Sequence, residues 1–238
     1  MYIPGDTPII LENERYLNKV RAILQWAQTK NQDDHFPLVA VSYGYLALMM
    51  AGIQNEGTIK TVDNFLLWTS AELNLRLRPE DTYLLDGYNL QTAESLLNNV
   101  TFYNELPFNV PLQSFLNERM LSKSFVPVAT YNDPAKDVED EFVALVEGAV
   151  FPFFGVSFSL EKFQFNQDLS VEDDIDHSKY AYRLAQRFAN LFVDEARLSK
   201  ASFLEASDEY MALIQNYDSK LVRPSENEYD LVGEIYIF

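Results

Sequence analysis

Apolar residues recur along this chain with different periods, and each period predicts a different element. From Glu12 to Lys30, Leu17, Val20, Ile23, Leu24 and Ala27 return at three- and four-residue intervals among charged neighbours, as in an amphipathic helix. Phe36 to Val41 is continuously apolar, which predicts a parallel strand buried on both faces. Tyr45 to Ala51 then predicts a helix closing at Gly52. Strand, tight turn and helix in that order lift one side chain to the carboxyl end of a sheet, beside the N–H groups of the helix start. That side chain is Ser42.

Further along, Asn64 to Leu77 has strand-like runs and Leu112 to Phe125 predicts a helix, although Thr58 to Pro134 carries the weakest pattern overall. Phe142 to Glu147, followed by Phe151 to Phe158, reads as a strand pair around Glu147-Gly148-Ala149. Tyr180 to Leu198 predicts a strongly amphipathic helix, with Leu184, Phe188, Leu191 and Phe192 on one face and Arg183 and Arg187 nearer the polar side. Ser202 to Tyr217 predicts a second helix. With no repeat and no linker, residues 1–238 are expected to form one α/β domain.

Composition narrows the function classes. The 238 residues are 47% hydrophobic and 14% aromatic, enough to build a sizeable core. Eighteen basic against 36 acidic residues leave a net charge of −18, a surface that repels nucleic acid and anionic membranes. No run approaches the roughly 20 apolar residues of a bilayer span, so membrane insertion is not expected. The amino-terminal residues show no basic segment leading into an apolar stretch, so no secretory leader is expected. There is no cysteine, which removes disulfides, thiolate metal sites and thiol nucleophiles. His35 and His177 are the only imidazoles. His177 is expected to order a loop and His35 to face solvent; no metal or other cofactor is expected.

Two segments carry a family pattern. Phe36-Pro37-Leu38-Val39-Ala40-Val41-Ser42-Tyr43-Gly44-Tyr45 ends in a small-x-nucleophile-x-Gly turn, and Gly155-Val156-Ser157-Phe158-Ser159-Leu160-Glu161-Lys162 follows later. Together with the terminal Tyr236-Ile237-Phe238 they resemble the gamma-glutamyl hydrolases, of the class I glutamine amidotransferase-like superfamily. The family pattern there is Gly-x-Cys-x-Gly for the nucleophile and Gly-Val-x-Trp-His-Pro-Glu-Lys for the base. Ile175-Asp176-His177-Ser178 and Phe192-Val193-Asp194-Glu195-Ala196-Arg197 resemble two further family stretches in the same order.

The resemblance implies a doubly wound, mostly parallel sheet of the flavodoxin-like type. It also implies thioester chemistry, with a cysteine attacking a gamma-glutamyl carbonyl, a histidine moving the proton and backbone N–H groups holding the oxyanion. Carried onto this chain, the nucleophile position is Ser42, the base position Ser159, the neighbouring acid Glu161 and the oxyanion loop Gly5-Asp6. A serine has no useful basicity near neutral pH, so Ser159 cannot activate Ser42. Asp6 would set a carboxylate against a developing oxyanion, and Ala40 replaces the first elbow glycine. The expectation is a catalytically inactive member serving as a structural or interaction subunit. Two alternatives remain: a non-catalytic binder of a gamma-glutamyl or other small ligand in the old cleft, with Arg119, Lys123 and Lys162 as its cations, or a residual serine hydrolase using His177.

In the family, further strands and helices precede the Pro-Gly-Gly loop that Pro4-Gly5-Asp6 resembles. The sheet is therefore expected to be truncated at its amino-terminal side. A protein partner or a second copy is expected to cover the open edge, within a possible larger assembly. The phenylalanines at 151, 153, 154, 158, 163 and 165 are expected to pack the sheet rather than form a ligand box.

Overall fold

The computed structural model describes residues 1–5, 14–52, 60–61, 69–104, 108–132, 141–165, 175–222 and 233–237. The chain divides into two compact units, 1–199 and 200–238. In the first, β1 (Tyr2–Ile3), α1 (Glu14–Lys30), β2 (Leu38–Val41) and α2 (Tyr43–Gly52) are followed by β3 (Lys60–Thr61), β4 (Thr69–Glu72) and β5 (Asn74–Leu75). Next come α3 (Leu90–Asn98), β6 (Thr101–Asn104), β7 (Phe108–Asn109), α4 (Leu112–Asn117), α5 (Arg119–Ser124) and β8 (Phe125–Asn132). The unit ends with β9 (Glu141–Gly148), β10 (Phe153–Val156), α6 (Lys162–Phe165) and α7 (Lys179–Arg197). The second unit holds α8 (Ala206–Ala212) and an antiparallel pair, β11 (Asp218–Val222) with β12 (Gly233–Ile237). Among the described residues no helix is long and apolar enough to cross a membrane.

The main sheet runs β1-β2-β10-β9-β8-β5. The α/β class holds, but the sheet is mixed rather than mostly parallel. β1, β2 and β10 pair in parallel, whereas β10-β9, β9-β8 and β8-β5 are antiparallel. The reason is local. Residues 149–152 are too short a link for a parallel crossover and can only fold β9 back on β10.

Side-chain alternation along β2 sorts the core into two layers. Leu38 and Ala40 join the cluster containing Leu24 of α1 and Leu46 of α2, while Val39 and Val41 join the cluster of Leu184, Phe188 and Leu191 of α7. Each such fully buried Leu or Phe contributes about 1.5–3 kcal/mol relative to exposure. The expected aromatic packing holds. Phe153, Phe154, Phe158 and Phe163 are all at most 2% exposed, so these rings are core and offer no surface to a partner. The side chain of Phe165 lies outside the described set.

Elsewhere the chain departs from its local pattern. The helix expected over 112–125 is two short helices, broken at Glu118, whose extended backbone (φ −79, ψ 106) interrupts the turn and whose side chain accepts from Met120 N–H to cap α5. The helix expected over 202–217 is regular only across α8, followed by a 3-10 turn at Ile214–Asn216, because nothing in it is buried to hold it longer.

Candidate functional site

β2 ends at Val41, and Ser42 turns the chain into α2 with φ of 55, the sole positive φ outside glycine among the described residues. That left-handed value is the conformation of a nucleophile elbow, and it costs a non-glycine residue about 1 kcal/mol or more. The turn is held by its backbone. Ser42 N–H donates to the Val156 carbonyl at 2.8 Å, and Ser42 carbonyl accepts from Tyr45 N–H at 2.9 Å. Two glycines make it possible. A Cβ on Gly44 would lie 2.1 Å from the Ile3 carbonyl oxygen, and one on Gly155 would lie 2.7 Å from Val146 and 2.8 Å from the Tyr45 ring. Gly5 packs on the same spot, its Cβ direction 2.5 Å from Gly44 nitrogen. The start of α2 thus fits directly beneath the loop that leaves β1.

Because β10 pairs in parallel with β2, with Val156 opposite Val41, residues 157–161 leave the sheet beside the elbow. Ser42, Ser157 and Ser159 are therefore gathered at neighbouring strand ends, 1%, 2% and 8% exposed. The Ser157 hydroxyl is buried with no hydrogen-bond partner among the described residues. Glu161 sits further out in an exposed turn. It rims an apolar groove of about 240 Å³ between the β1-β2 face and α7, lined by Tyr2, Val39, Val41, Phe188 and Phe192 among others. Burial, helped by the nearby Glu161 charge, pushes the Tyr2 phenol up to about 12. Asp6 lies outside the described residues, as do the acidic residues 172–174.

Neither histidine hydrogen-bonds to Ser42, Ser157 or Ser159 among the described residues. His177 Nδ1 donates to the Phe163 carbonyl at 2.8 Å, inside a built helix start. Ser178 caps α7 by accepting from Ala181 N–H, and Asp176 accepts from Thr101 and Ser178 N–H groups. The Ile175-Asp176-His177-Ser178 stretch is thus a capping device, and the loop-ordering reading of His177 holds. His35 does not simply face solvent. Its Nε2 meets the Glu195 carboxylate at 2.7 Å, since α7 brings Glu195 across to the segment before β2. Arg119 and Lys123 share α5, while Lys162 starts α6.

Comparison with known proteins finds relatives of this chain. The sequence is 24% identical over 237 residues to gamma-glutamyl hydrolase B of Dictyostelium discoideum, covering 99% of this chain and 65% of that protein. It is 27% identical over 195 residues to gamma-glutamyl hydrolase of Homo sapiens, covering 80% of this chain and 57% of that protein. The chain is a relative of the gamma-glutamyl hydrolases. A third relative, gamma-glutamyl hydrolase 2 of Arabidopsis thaliana, is 26% identical over 226 residues, 94% of this chain and 61% of that one. This hydrolase relative therefore spans 57% to 65% of the length of those proteins. No protein-family model matches it. Among solved structures, a Thermoplasma acidophilum protein assigned to GMP synthase superposes with a TM-score of 0.50 at 12% identity. The match covers 82% of this chain and 73% of that one, and it shows a shared fold.

One polar centre of this hydrolase relative was not foreseen. Glu147, 5% exposed at the end of β9, accepts from Tyr83 N–H at 2.9 Å and Leu84 N–H at 2.7 Å. Arg187 closes the same turn from the other side, donating to the carbonyls of Leu84 (2.7 Å), Asp86 (3.0 Å) and Tyr83 (3.2 Å). Burial raises the Glu147 pKa, opposed by the two amides and by Arg187 and reinforced by Glu195. The available signal was a glutamate closing the apolar run Phe142 to Val146, where a lone charge must find partners.

Proposed function

We propose that this chain is a catalytically inactive gamma-glutamyl hydrolase-like protein that acts as a structural or interaction subunit of a protein assembly. The observation carrying this reading is the proton inventory at the elbow. Ser42 has the backbone geometry of a nucleophile, yet Ser159 stands at the expected base position, His35 is held by Glu195, and His177 spends Nδ1 on the Phe163 carbonyl rather than on Ser42. A hydroxyl that no base deprotonates stays neutral near pH 7 and attacks an amide poorly. In a related serine triad, loss of the base alone costs about six orders of magnitude in turnover. The burial of Ser42 to 1% exposure also speaks against a ligand reaching the elbow, which disfavours the old cleft as a binding site.

The partner surface in this reading is the outer edge of β1, which pairs only with β2 among the described residues. An unpaired strand edge offers N–H and C=O groups to an added strand. The partner is a second protein chain or another copy of this one.

The test uses the purified chain with gamma-glutamyl peptides and a serine-directed fluorophosphonate. The expected results are no turnover above buffer and no label on Ser42. Turnover together with labelling that disappears in Ser42→Ala would replace this reading by a serine hydrolase. Sedimentation of the native protein separates the second half of the proposal: a defined assembly supports the interaction role, and a lone monomer at cellular concentration removes it.

A further inference from the structure

Helices α3 and α7 run antiparallel on one face of the sheet. Tyr88, just before α3, stacks against Arg187 midway along α7 with the guanidinium 5.7 Å from the ring. Asp176, just before α7, receives the N–H of Thr101, just after α3. Between the two helices lies a cleft of about 320 Å³ whose walls include Tyr88, Gln91, Thr92 and Ser95 on one side and Tyr180 and Arg183 on the other.

The composition of this cleft is unlike that of the chain around it. Acidic residues outnumber basic ones by 36 to 18 over the sequence, yet among the described residues no carboxylate lines the cleft. Its one charged group is a guanidinium, and its other polar groups are hydroxyls and an amide. Arg183 also stands in a row of cations, because Lys179, Arg183 and Arg187 recur at four-residue intervals and share a face of α7. The outer two are engaged: Lys179 lies 4.9 Å over the Tyr180 ring, and Arg187 donates to three carbonyls. Arg183 has no hydrogen bond or ion pair among the described residues, so its fork of donors is directed at solvent beside two aromatic rings.

We propose that this cleft binds a small aromatic anion, its carboxylate or phosphate on Arg183 and its ring against Tyr88 and Tyr180. The guanidinium presents parallel N–H donors to two oxygens of such a group, which an ammonium cannot do. Gln91, Thr92 and Ser95 supply hydrogen bonds for substituents on the ring. The site is separate from the elbow and independent of whether Ser42 is active. It gives an acidic chain one place where an anion is attracted rather than repelled.

The experiment titrates the chain with benzoate, phenyl phosphate, neutral benzamide and cationic benzamidine, read by NMR at the amides of Ser95, Tyr180 and Arg183. Benzoate is expected to bind about threefold to fivefold tighter than benzamide, the range of a solvent-exposed ion pair, with benzamidine weakest. Phenyl phosphate binding tighter than benzoate assigns the site to phosphate esters, and the reverse order assigns it to carboxylates. In Arg183→Gln the preference for anion over benzamide disappears, while Arg183→Lys keeps the order at reduced affinity. Arg183 is exposed, and an unchanged melting temperature in both variants checks that the fold is intact. Equal affinity for benzoate and benzamide, a preference that survives Arg183→Gln, or no response at about 10 mM of any probe overturns the proposal.

Discussion

At the carboxyl ends of β2 and β10, Ser42, Ser157 and Ser159 bring three neutral hydroxyls into buried surroundings. At the opposite end of the same sheet, Glu147, Arg187, Glu195 and His35 bring charged and titratable groups together. The first end has the backbone of a reactive site, a positive φ and two glycines at close approach, and neither histidine hydrogen-bonds to its serines among the described residues. The second has proton-active groups, each engaged by a partner: Glu147 on two amides, Arg187 on three carbonyls, His35 on Glu195. Reactivity and ionisation thus lie apart. Buried charges that are fully hydrogen-bonded stabilise a turn, and in the proposed reading the strained elbow holds a shape.

Gly44→Ala tests the elbow most severely. Helix propensity favours alanine by about 1 kcal/mol, but the new Cβ would lie 2.1 Å from the Ile3 carbonyl oxygen, so β1 or the helix start must move. A net loss of about 3 kcal/mol in urea unfolding is expected. An unchanged midpoint would mean that β1 is not seated against α2.

At the other end, Glu147→Ala strands the amides of Tyr83 and Leu84 in the interior and is expected to cost about 2–3 kcal/mol. The pH dependence sharpens this. Burial holds the folded-state pKa of Glu147 above its unfolded value, so this group's contribution is fully present below the ordinary carboxylate range and is lost as pH rises through the raised value. Glu147→Gln removes that slope. Measured from about pH 4 to pH 7, the unfolding midpoint of the wild type should therefore fall relative to that of Glu147→Gln as pH rises. Parallel curves would show that the carboxyl titrates normally.

The smallest effect returns to the elbow. Ser42→Gly should stabilise the chain by up to about 1 kcal/mol, because glycine adopts φ of 55 without strain. A loss of stability would show that the hydroxyl has a structural partner.

Much of the site was legible beforehand because it is local. The run 36–41, the turn at Ser42 and Gly44 lie consecutively, so strand, elbow and helix follow from one short stretch. The cap of α7 is local in the same way, since Ser178 accepts from Ala181 N–H three residues on. His35 and Glu147 were not legible: their partners lie 160 and 63 or 64 residues away, and no local period encodes such a meeting. β8 lies in the weakly patterned stretch from Thr58 to Pro134; the register shift between Pro127 and Ala129 places its proline at a bulge, where the missing N–H is tolerated.

Composition and order of residues alone determined the α/β class, the absence of thiols, the family resemblance and the serine at the expected base position. Each of these depends only on which side chains occur and on their spacing along one element. Tertiary structure alone decided that half the sheet turns antiparallel, that Glu147 and Arg187 clamp one turn, and that Arg183 lines a cleft with no carboxylate among its described residues. Those outcomes depend on which distant segments pack together, and packing is fixed by burial of the whole core rather than by any local pattern.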